Sequence, residues 1–508
     1  METAIPAWVV GFLALYFLVA VLLFCYGMHA YVMAILYYKN RHKEPKGADP
    51  EALPLVTVQL PIFNERYVAK RLIDTVCNLD YPHDKLEIQV LDDSTDDTVD
   101  HVAQIVEGWQ KQGRDVVHVH RTNRVGYKAG ALREGLEVAK GNLIAVFDAD
   151  FLPRASFLKD TVRHFDTPKV GMVQTRWAHL NEDFSILTRA QAAALDGHFL
   201  IEQTVRNRCG AFMNFNGTAG IWRRECIIDA GNWQHDTLTE DLDLSYRAQL
   251  EGWDFVFLPD ITSPAELPSE VNGLKGQQYR WAKGSVQTAV KILPRLLRSK
   301  LTVFQRFQAI VHLTNHMVYP LLLLLCIMAL PALVTLDKYP QVDRSFTIAS
   351  ILVIASFGHP WLYFLSQRLQ GRGIGQSLAM VPAVLAGGMG IAINNTRAFI
   401  EGICGHQSPF VRTPKYGIVS KTDSWRGKKY RVPLSGWAFA EILLALYAIA
   451  TIIYAVANHH FLVLPFIFLY AAGGGYIGFL SVVHAWGRYR ESQQLRAAEK
   501  NLAAAVSD

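Results

Sequence analysis

An α/β domain with a largely parallel sheet, inserted between membrane-spanning helices, is the fold class this sequence predicts. Three observations carry it. Charge is withheld in long blocks, strand-like and helix-like runs alternate between Lys39 and Lys300, and carboxylates follow directly on the hydrophobic strands.

The chain has 508 residues, of which 51% are hydrophobic and only 19% charged, where a soluble protein carries about a quarter charged residues. The deficit is local. After Glu2 no Asp, Glu, Lys or Arg occurs before Lys39, and similar silences run from Phe307 to Leu336 and from Ile442 to Gly487. Uncharged apolar stretches of about 18 or more residues read as membrane spans. That excludes a purely soluble enzyme, a disordered chain and a collagen-like or coiled-coil rod. A net charge of +5 is mild and is explained by basic membrane flanks, so no nucleic-acid partner is expected. Cys25, Cys77, Cys209, Cys226, Cys326 and Cys404 show no CxxC and no ligand-like spacing. They are expected to be reduced and structural, as suits a cytosolic domain.

The first span, residues 1–38, is too long for a signal-peptide core and lacks a preceding basic residue. Lys39, Arg41, His42, Lys43 and Lys46 follow it. Positive flanks stay in the cytoplasm, so the N-terminus is expected outside and domain 39–300, with interfacial helices at its C-terminal end, inside. Later candidate spans are His312–Thr335, Phe346–Ser366, Ser377–Ile400, Trp437–Ala457 and Leu462–Ala485. If all crossed, the basic segment Arg426, Lys428, Lys429, Arg431 and the tail Arg488, Arg490, Arg496, Lys500 would lie outside. Ser377–Ile400 contains Pro382, Gly387-Gly388-Met389-Gly390 and the polar pair Asn394-Asn395. Read as interfacial or re-entrant, it returns both basic segments to the inside. The expected layout is two transmembrane helices in 301–370, this segment at 371–403, a cytosolic loop at 404–433, two transmembrane helices in 434–487 and a cytosolic tail at 488–508. The protein is thus expected in a lipid bilayer, the plasma membrane in a bacterium, with its C-terminus inside.

In the soluble part the strand candidates are Leu55–Ile62, Glu87–Asp92, Val116–Arg121, Leu143–Asp148, Val170–Trp177 and Phe255–Leu258. Helical patterns at Glu65–Leu79, Thr98–Gln112 and Lys128–Lys140 separate several of them. This alternation predicts the α/β layers, and such sheets bind ligands at the carboxyl ends of their strands.

Those ends are acidic. The first is followed by Pro61-Ile62-Phe63-Asn64-Glu65, the second by Asp92-Asp93-Ser94 and the fourth by Asp148-Ala149-Asp150. Asp-x-Asp there is placed to ligate Mg²⁺ or Mn²⁺ alongside substrate phosphates. Thr239-Glu240-Asp241 comes after the glycine-rich Asn216-Gly217-Thr218-Ala219-Gly220, and Gln277-Gln278-Tyr279-Arg280-Trp281 precedes the next span. An arginine partners a diphosphate through fork-like hydrogen bonds, and a tryptophan offers a face to a sugar ring. His118 and His120 alternate on one strand and, without a third ligand, are read as a polar face.

In this order the clusters resemble the D, DxD, TED, QxxRW pattern of family-two membrane glycosyltransferases, nearest the cellulose synthase and plant mannan-synthase-like branch. The resemblance spans about Leu55 to Trp281. Phe410-Val411-Arg412-Thr413-Pro414-Lys415 is similar to the FxVTxK gating loop of processive synthases, with Arg412 at the place of the usual valine. It implies a GT-A, Rossmann-like fold for nucleotide-diphospho-sugar transfer. It further implies that Asp93, Asn64 and Glu65 contact the nucleoside of the donor and that Lys128 and Lys415 lie near it. Asp148 and Asp150 would hold the metal on the diphosphate. Asp241, next to Glu240, would be the general base, and Arg280 would neutralise the leaving diphosphate. Phe215, Asn216, Gly217, Gln277 and Trp281 would meet the acceptor.

The implied activity is inverting transfer of a hexose from UDP-glucose or GDP-mannose to a growing β-glycan, passed across the membrane. One alternative is transfer of a single sugar to a lipid, as in ceramide glucosyltransferases. Another is a non-catalytic nucleotide-binding carrier or scaffold, against which the joint presence of Asp241 and Arg280 argues.

Overall fold

The computed structural model describes residues 5–343, 346–347, 350–430, 432 and 434–507, with residues 350 and 488–507 described by their backbone alone. Arg431, and the side chains of Arg488, Arg490, Arg496 and Lys500, lie outside the described residues, as do Ile348 and Ala349 within the expected Phe346–Ser366 span.

Seven strands form one mixed sheet: β1 (Val56–Ile62), β2 (Leu86–Asp92), β3 (Val116–His120), β4 (Leu143–Val146), β5 (Val170–His179), β6 (Gly220–Arg223) and β7 (Asp254–Ala265), in the order β3-β2-β1-β4-β6-β5-β7. β1 pairs in parallel with both β2 and β4, and β2 with β3, so the acidic ends of β1, β2 and β4 open on one edge. The central strands read as unbroken apolar runs because helices cover both faces of the sheet. Ala69–Cys77 and Thr98–Gln110 pack on one face, and Tyr127–Val138 on the other.

Six strands fall where the apolar runs place them. β6 does not: its four residues, Gly220–Arg223, hold only Ile221 and Trp222 as apolar side chains, too few to make a run. It runs antiparallel between β4 and β5. β7 extends well past the expected Phe255–Leu258, to Ala265, because a register shift between Thr175 and Arg176 absorbs Pro259, Asp260 and Ile261.

Among the described residues four helices are long and apolar enough to cross a membrane: Ala7–Asn40, Val303–Lys338, Trp437–Ala457 and Phe461–Gly487. Ile374–Gly390 and Ala392–Ile403 form a pair bent by 48° at Ile391. Residues 350–369 comprise a 3-10 helix, Ser350–Phe357, followed by Gly358–Leu369. This stretch crosses the first helix in close contact, since a Cβ on Gly27 would stand 2.2 Å from the Ala355 carbonyl oxygen. The amphipathic helix Val271–Arg298 joins the two halves of the molecule. On it the buried Lys275 pairs with Glu441 at 2.7 Å, and Asn394 donates to the Lys275 carbonyl at 3.0 Å. The polar Asn394-Asn395 pair is thereby buried against this helix.

Candidate active site

One cleft lies over the carboxyl ends of β1, β2 and β4. Of the residues singled out above, Glu65, Asp93, Lys128, Asp148, Asp150, Asn216, Gly217, Glu240, Asp241, Gln277, Arg280, Trp281 and Lys415 all line it. Two do not. Phe215 is fully buried, 5.5 Å from Trp222 and 6.4 Å from Trp233 ring to ring. It anchors the loop that carries Asn216 and Gly217. Asn64, at φ +53°, spends its side-chain amide on Thr95, accepting from the Thr95 N–H at 2.8 Å and tying the ends of β1 and β2 together.

Asp93, at the end of β2, is held by an ion pair that sequence reasoning missed. Arg121, just past β3, clamps Asp93 with Nε on Oδ1 at 2.7 Å and Nη2 on Oδ2 at 2.8 Å, and reaches Glu134 at 2.7 Å. Such fork-to-fork pairs fix the orientation of a carboxylate. A lone arginine after a short strand gives no warning of this role.

At the end of β4 the cleft gathers acidic side chains, Asp148 and Asp150, with Glu240 and Asp241 opposite. Lys128 donates to Asp148 Oδ1 at 2.5 Å and to the Gly217 carbonyl at 2.8 Å. Burial alone would lower its pKa, but Asp148, Glu240 and Asp241 outweigh that and raise it. Asp148 is also raised, because enclosure by protein and the charge of Asp150 exceed what Lys128 returns. Two carboxylates on one strand end, one of them pushed towards its neutral form, make a donor set that fits a divalent cation shared with a diphosphate.

Asp150 is paired with Lys415 at 2.7 Å, and Glu65 with Arg412 at 3.1 Å. Burial, with Asp150 and Glu266 adding repulsion, pushes Glu65 up to about 8 against the pull of Arg412 and Lys415. Glu266, at the end of β7, accepts the backbone N–H groups of Tyr416 and Gly417, each at 2.8 Å. Segment 410–417 therefore lies across the cleft. Its Thr413 hydroxyl accepts from Arg280 Nη2 at 2.8 Å, and Arg280 also donates to the Val411 carbonyl.

Glu240 and Asp241 open the helix Glu240–Leu250, whose N-terminus tolerates acidic groups. Enclosure and the neighbouring Glu240 raise Asp241 to about 7, which is a useful value for a general base. Gly217, at φ +80°, faces it, and a Cβ there would stand 3.0 Å from Asp241 Oδ2. Arg280 is lowered to about 10 by burial and stays charged at neutral pH. On the same helix Trp281 continues into an aromatic wall, 6.4 Å from Trp177, which is itself 5.2 Å from Phe199. Phe199 lies in a π-helical turn, Gly197–Gln203, a feature that often marks functional positions.

His118 and His120 are not a plain polar face. His118 Nε2 lies 2.9 Å from Asp92 Oδ2, and the three side chains form a potential metal-ligand cluster. They do not line the cleft, and Asp92 also accepts from the Ser94 N–H at 2.8 Å. Direct hydrogen bonding accounts for the group.

A mixed sheet with an Asp-x-Asp at the end of β4, a carboxylate pair opening a following helix and an arginine opposite is the layout of a GT-A fold. Residues 54–284 match the family described as glycosyltransferase-like family 2. Glucomannan 4-beta-mannosyltransferase 2 of Arabidopsis thaliana is 41% identical over 303 residues, covering 56% of this chain and 57% of that protein. Glucomannan 4-beta-mannosyltransferase 1 of Oryza sativa subsp. japonica is 35% identical over 388 residues, covering 74% of this chain and 73% of the relative. A mannosyltransferase from Pyrobaculum calidifontis, solved with GDP-Man and Mn²⁺, superposes with a TM-score of 0.51 at 21% identity, over 77% of this chain and 100% of its own, a likeness of fold alone. The chain belongs to glycosyltransferase-like family 2, in the branch that holds the glucomannan mannosyltransferases, and its class of chemistry is hexosyl transfer.

Proposed function

We propose that the protein transfers mannose from GDP-mannose to the end of a growing β-linked mannan or glucomannan chain. The observation that carries this is the placement of Asp241 and Arg280 in one cleft with Asp148 and Asp150. The choice of sugar rests on the named activities of the relatives.

Asp93 and its Arg121 clamp hold the nucleoside. Asp148 and Asp150 would hold Mg²⁺ or Mn²⁺, which when bound would supply charge stabilisation for the leaving diphosphate. Asp241 takes the proton of the acceptor hydroxyl, whose oxygen bonds to the anomeric carbon as the bond to the diphosphate oxygen breaks. The electron pair leaves with the diphosphate, where Arg280 meets it. One displacement inverts the centre, so an α-linked donor gives a β-linked product. Asn216, Gly217, Gln277 and Trp281 seat the acceptor, with Phe215 holding their loop from the core, and Glu240 keeps Lys128 and Arg280 charged. Asn64 and Glu65 complete the donor side, and Lys415 adds a cation beside Asp150. The elongated chain passes from Trp281 into the membrane region, with the catalytic domain and C-terminus on the cytoplasmic side and the N-terminus outside.

Purified full-length protein supplied with labelled GDP-mannose or UDP-glucose tests this through the released GDP or UDP and the product. A polymer cut by β-mannanase is expected from GDP-mannose. Turnover of UDP-glucose alone would refute the donor, a discrete chloroform-soluble glycolipid would refute the polymer, and binding without turnover would leave a carrier. EDTA is expected to stop transfer and Mn²⁺ or Mg²⁺ to restore it.

A further inference from the structure

Arg124 is a cation that the reaction just described does not use. Among the described residues lining the cleft, Lys128, Arg280, Arg412 and Lys415 each have an anionic or hydrogen-bonding partner, and the Arg124 side chain has neither hydrogen bond nor ion pair. Its guanidinium carbon lies 3.3 Å from the centre of the Phe63 ring and 4.9 Å from that of Tyr127. Its Nε is buried without an acceptor. A buried donor left unpaired costs free energy, and a ligand oxygen would recover it.

The backbone pays to keep it there. Arg124 at φ +46° and Tyr127 at φ +51° are non-glycine residues in the left-handed region, with Gly126 at φ +74° between them. Strain of this kind persists where the surroundings hold it, and such sites are commonly functional. Asp93 lines the same cleft and is close enough to Arg124 for its charge to act on that guanidinium. Arg121 takes the inward lone pair of each oxygen of Asp93, which leaves the outward lone pair of either oxygen to accept one hydrogen bond from a ligand.

A carboxylate and a free guanidinium in one subsite match a particular base. Guanine has adjacent donors at N1 and N2 and adjacent acceptors at O6 and N7, and arginine reads that acceptor pair with two parallel hydrogen bonds. Uracil offers a single N–H between two carbonyls and has no adjacent acceptor pair. We propose that Arg124 is the residue that selects guanine: its guanidinium donates to O6 and N7 while one oxygen of Asp93 accepts a single hydrogen bond from N1 or N2. The inference rests on the GDP-mannose reading and names the side chain that enforces it.

Calorimetric titration of the full-length protein in detergent with GDP, UDP and 7-deaza-GDP tests this without turnover. The wild type is expected to bind GDP at least about tenfold more tightly than UDP, and Arg124→Gln to lose about 5- to 150-fold for GDP, the span of one such arginine–guanine contact. UDP binding should change less than about threefold in Arg124→Gln, which also reports an intact fold. Removing N7 should weaken binding to the wild type but not to Arg124→Gln. Arg124→Lys, charged but without the planar fork, should lose the same discrimination. Equal losses for GDP and UDP would overturn the inference by placing Arg124 on the diphosphate or in the fold, as would 7-deaza discrimination surviving in the variant. A wild-type preference for UDP would overturn the donor reading and this inference together.

Discussion

Asp148 and Asp150 stand two residues apart after β4, yet their cations come from different parts of the chain. Lys128, 20 residues before Asp148, belongs to the same domain and also bonds the Gly217 carbonyl beside Asp241. Lys415 lies 265 residues beyond Asp150, in a segment with no helix or strand of its own. The first half of the cleft is held by strand ends and a helix that fold together. The second half is held by side-chain contacts across a long loop: Arg412 on Glu65, Tyr430 on Asp96 at 2.8 Å, and Lys429 on Asp97 at 2.8 Å. The difference teaches that one side of the cleft is braced within the sheet domain, whereas charge balance on its open side depends on a segment that adds no strand to the sheet and is tied to it through side chains.

Substitutions in the domain-owned half should therefore cost most. Asp241→Asn is expected to lower kcat by about 10²- to 10⁴-fold while GDP affinity stays within about twofold, because only the proton acceptor is lost; full turnover would remove the base assignment. Arg280→Ala should cost about 10²- to 10³-fold in kcat, the scale of one lost charge-stabilising donor. Single-turnover kinetics would separate this from slow product release.

The pH profile is a milder probe of the same half. Asp241 must be ionised to accept a proton, and enclosure together with Glu240 raises it to about 7. Below that value kcat/KM should fall about tenfold per pH unit, and above it the profile should level off. A flat profile from pH 5 to 8 would mean that another group is the base. Gly217→Ala should lower kcat about tenfold, since the new methyl meets Asp241 Oδ2 in a backbone conformation that side chains rarely adopt. Smallest, and on the loop side, Lys415→Ala should raise the donor KM about tenfold with thermal unfolding little changed. A large drop in stability there would break the comparison by making the loop part of the fold.

Much of the site was legible because its signals are short and local. An apolar strand followed at once by Asp93, or by Asp148 and Asp150, states both the sheet and the edge where ligands bind. The residues that escaped have partners set by distance in space. Arg121 is one basic residue after a five-residue strand, and nothing nearby ties it to Asp93. Phe215 sits in a loop whose neighbours face the cleft, yet its ring turns into the core between Trp222 and Trp233. Asn64 belongs to the same motif as Glu65, but a left-handed backbone directs its amide to Thr95.

The sequence by itself determined the division of the chain into apolar spans and an α/β domain, and the order of the acidic clusters. Periodicity and strand-end chemistry are properties of consecutive residues. Only the tertiary structure decided which cation meets which carboxylate, that β6 reverses direction between β4 and β5, and that among the described residues the Arg124 side chain meets aromatic rings but no hydrogen-bond acceptor. Those outcomes depend on contacts between residues tens to hundreds of positions apart, where burial and geometry rather than local pattern choose the partner.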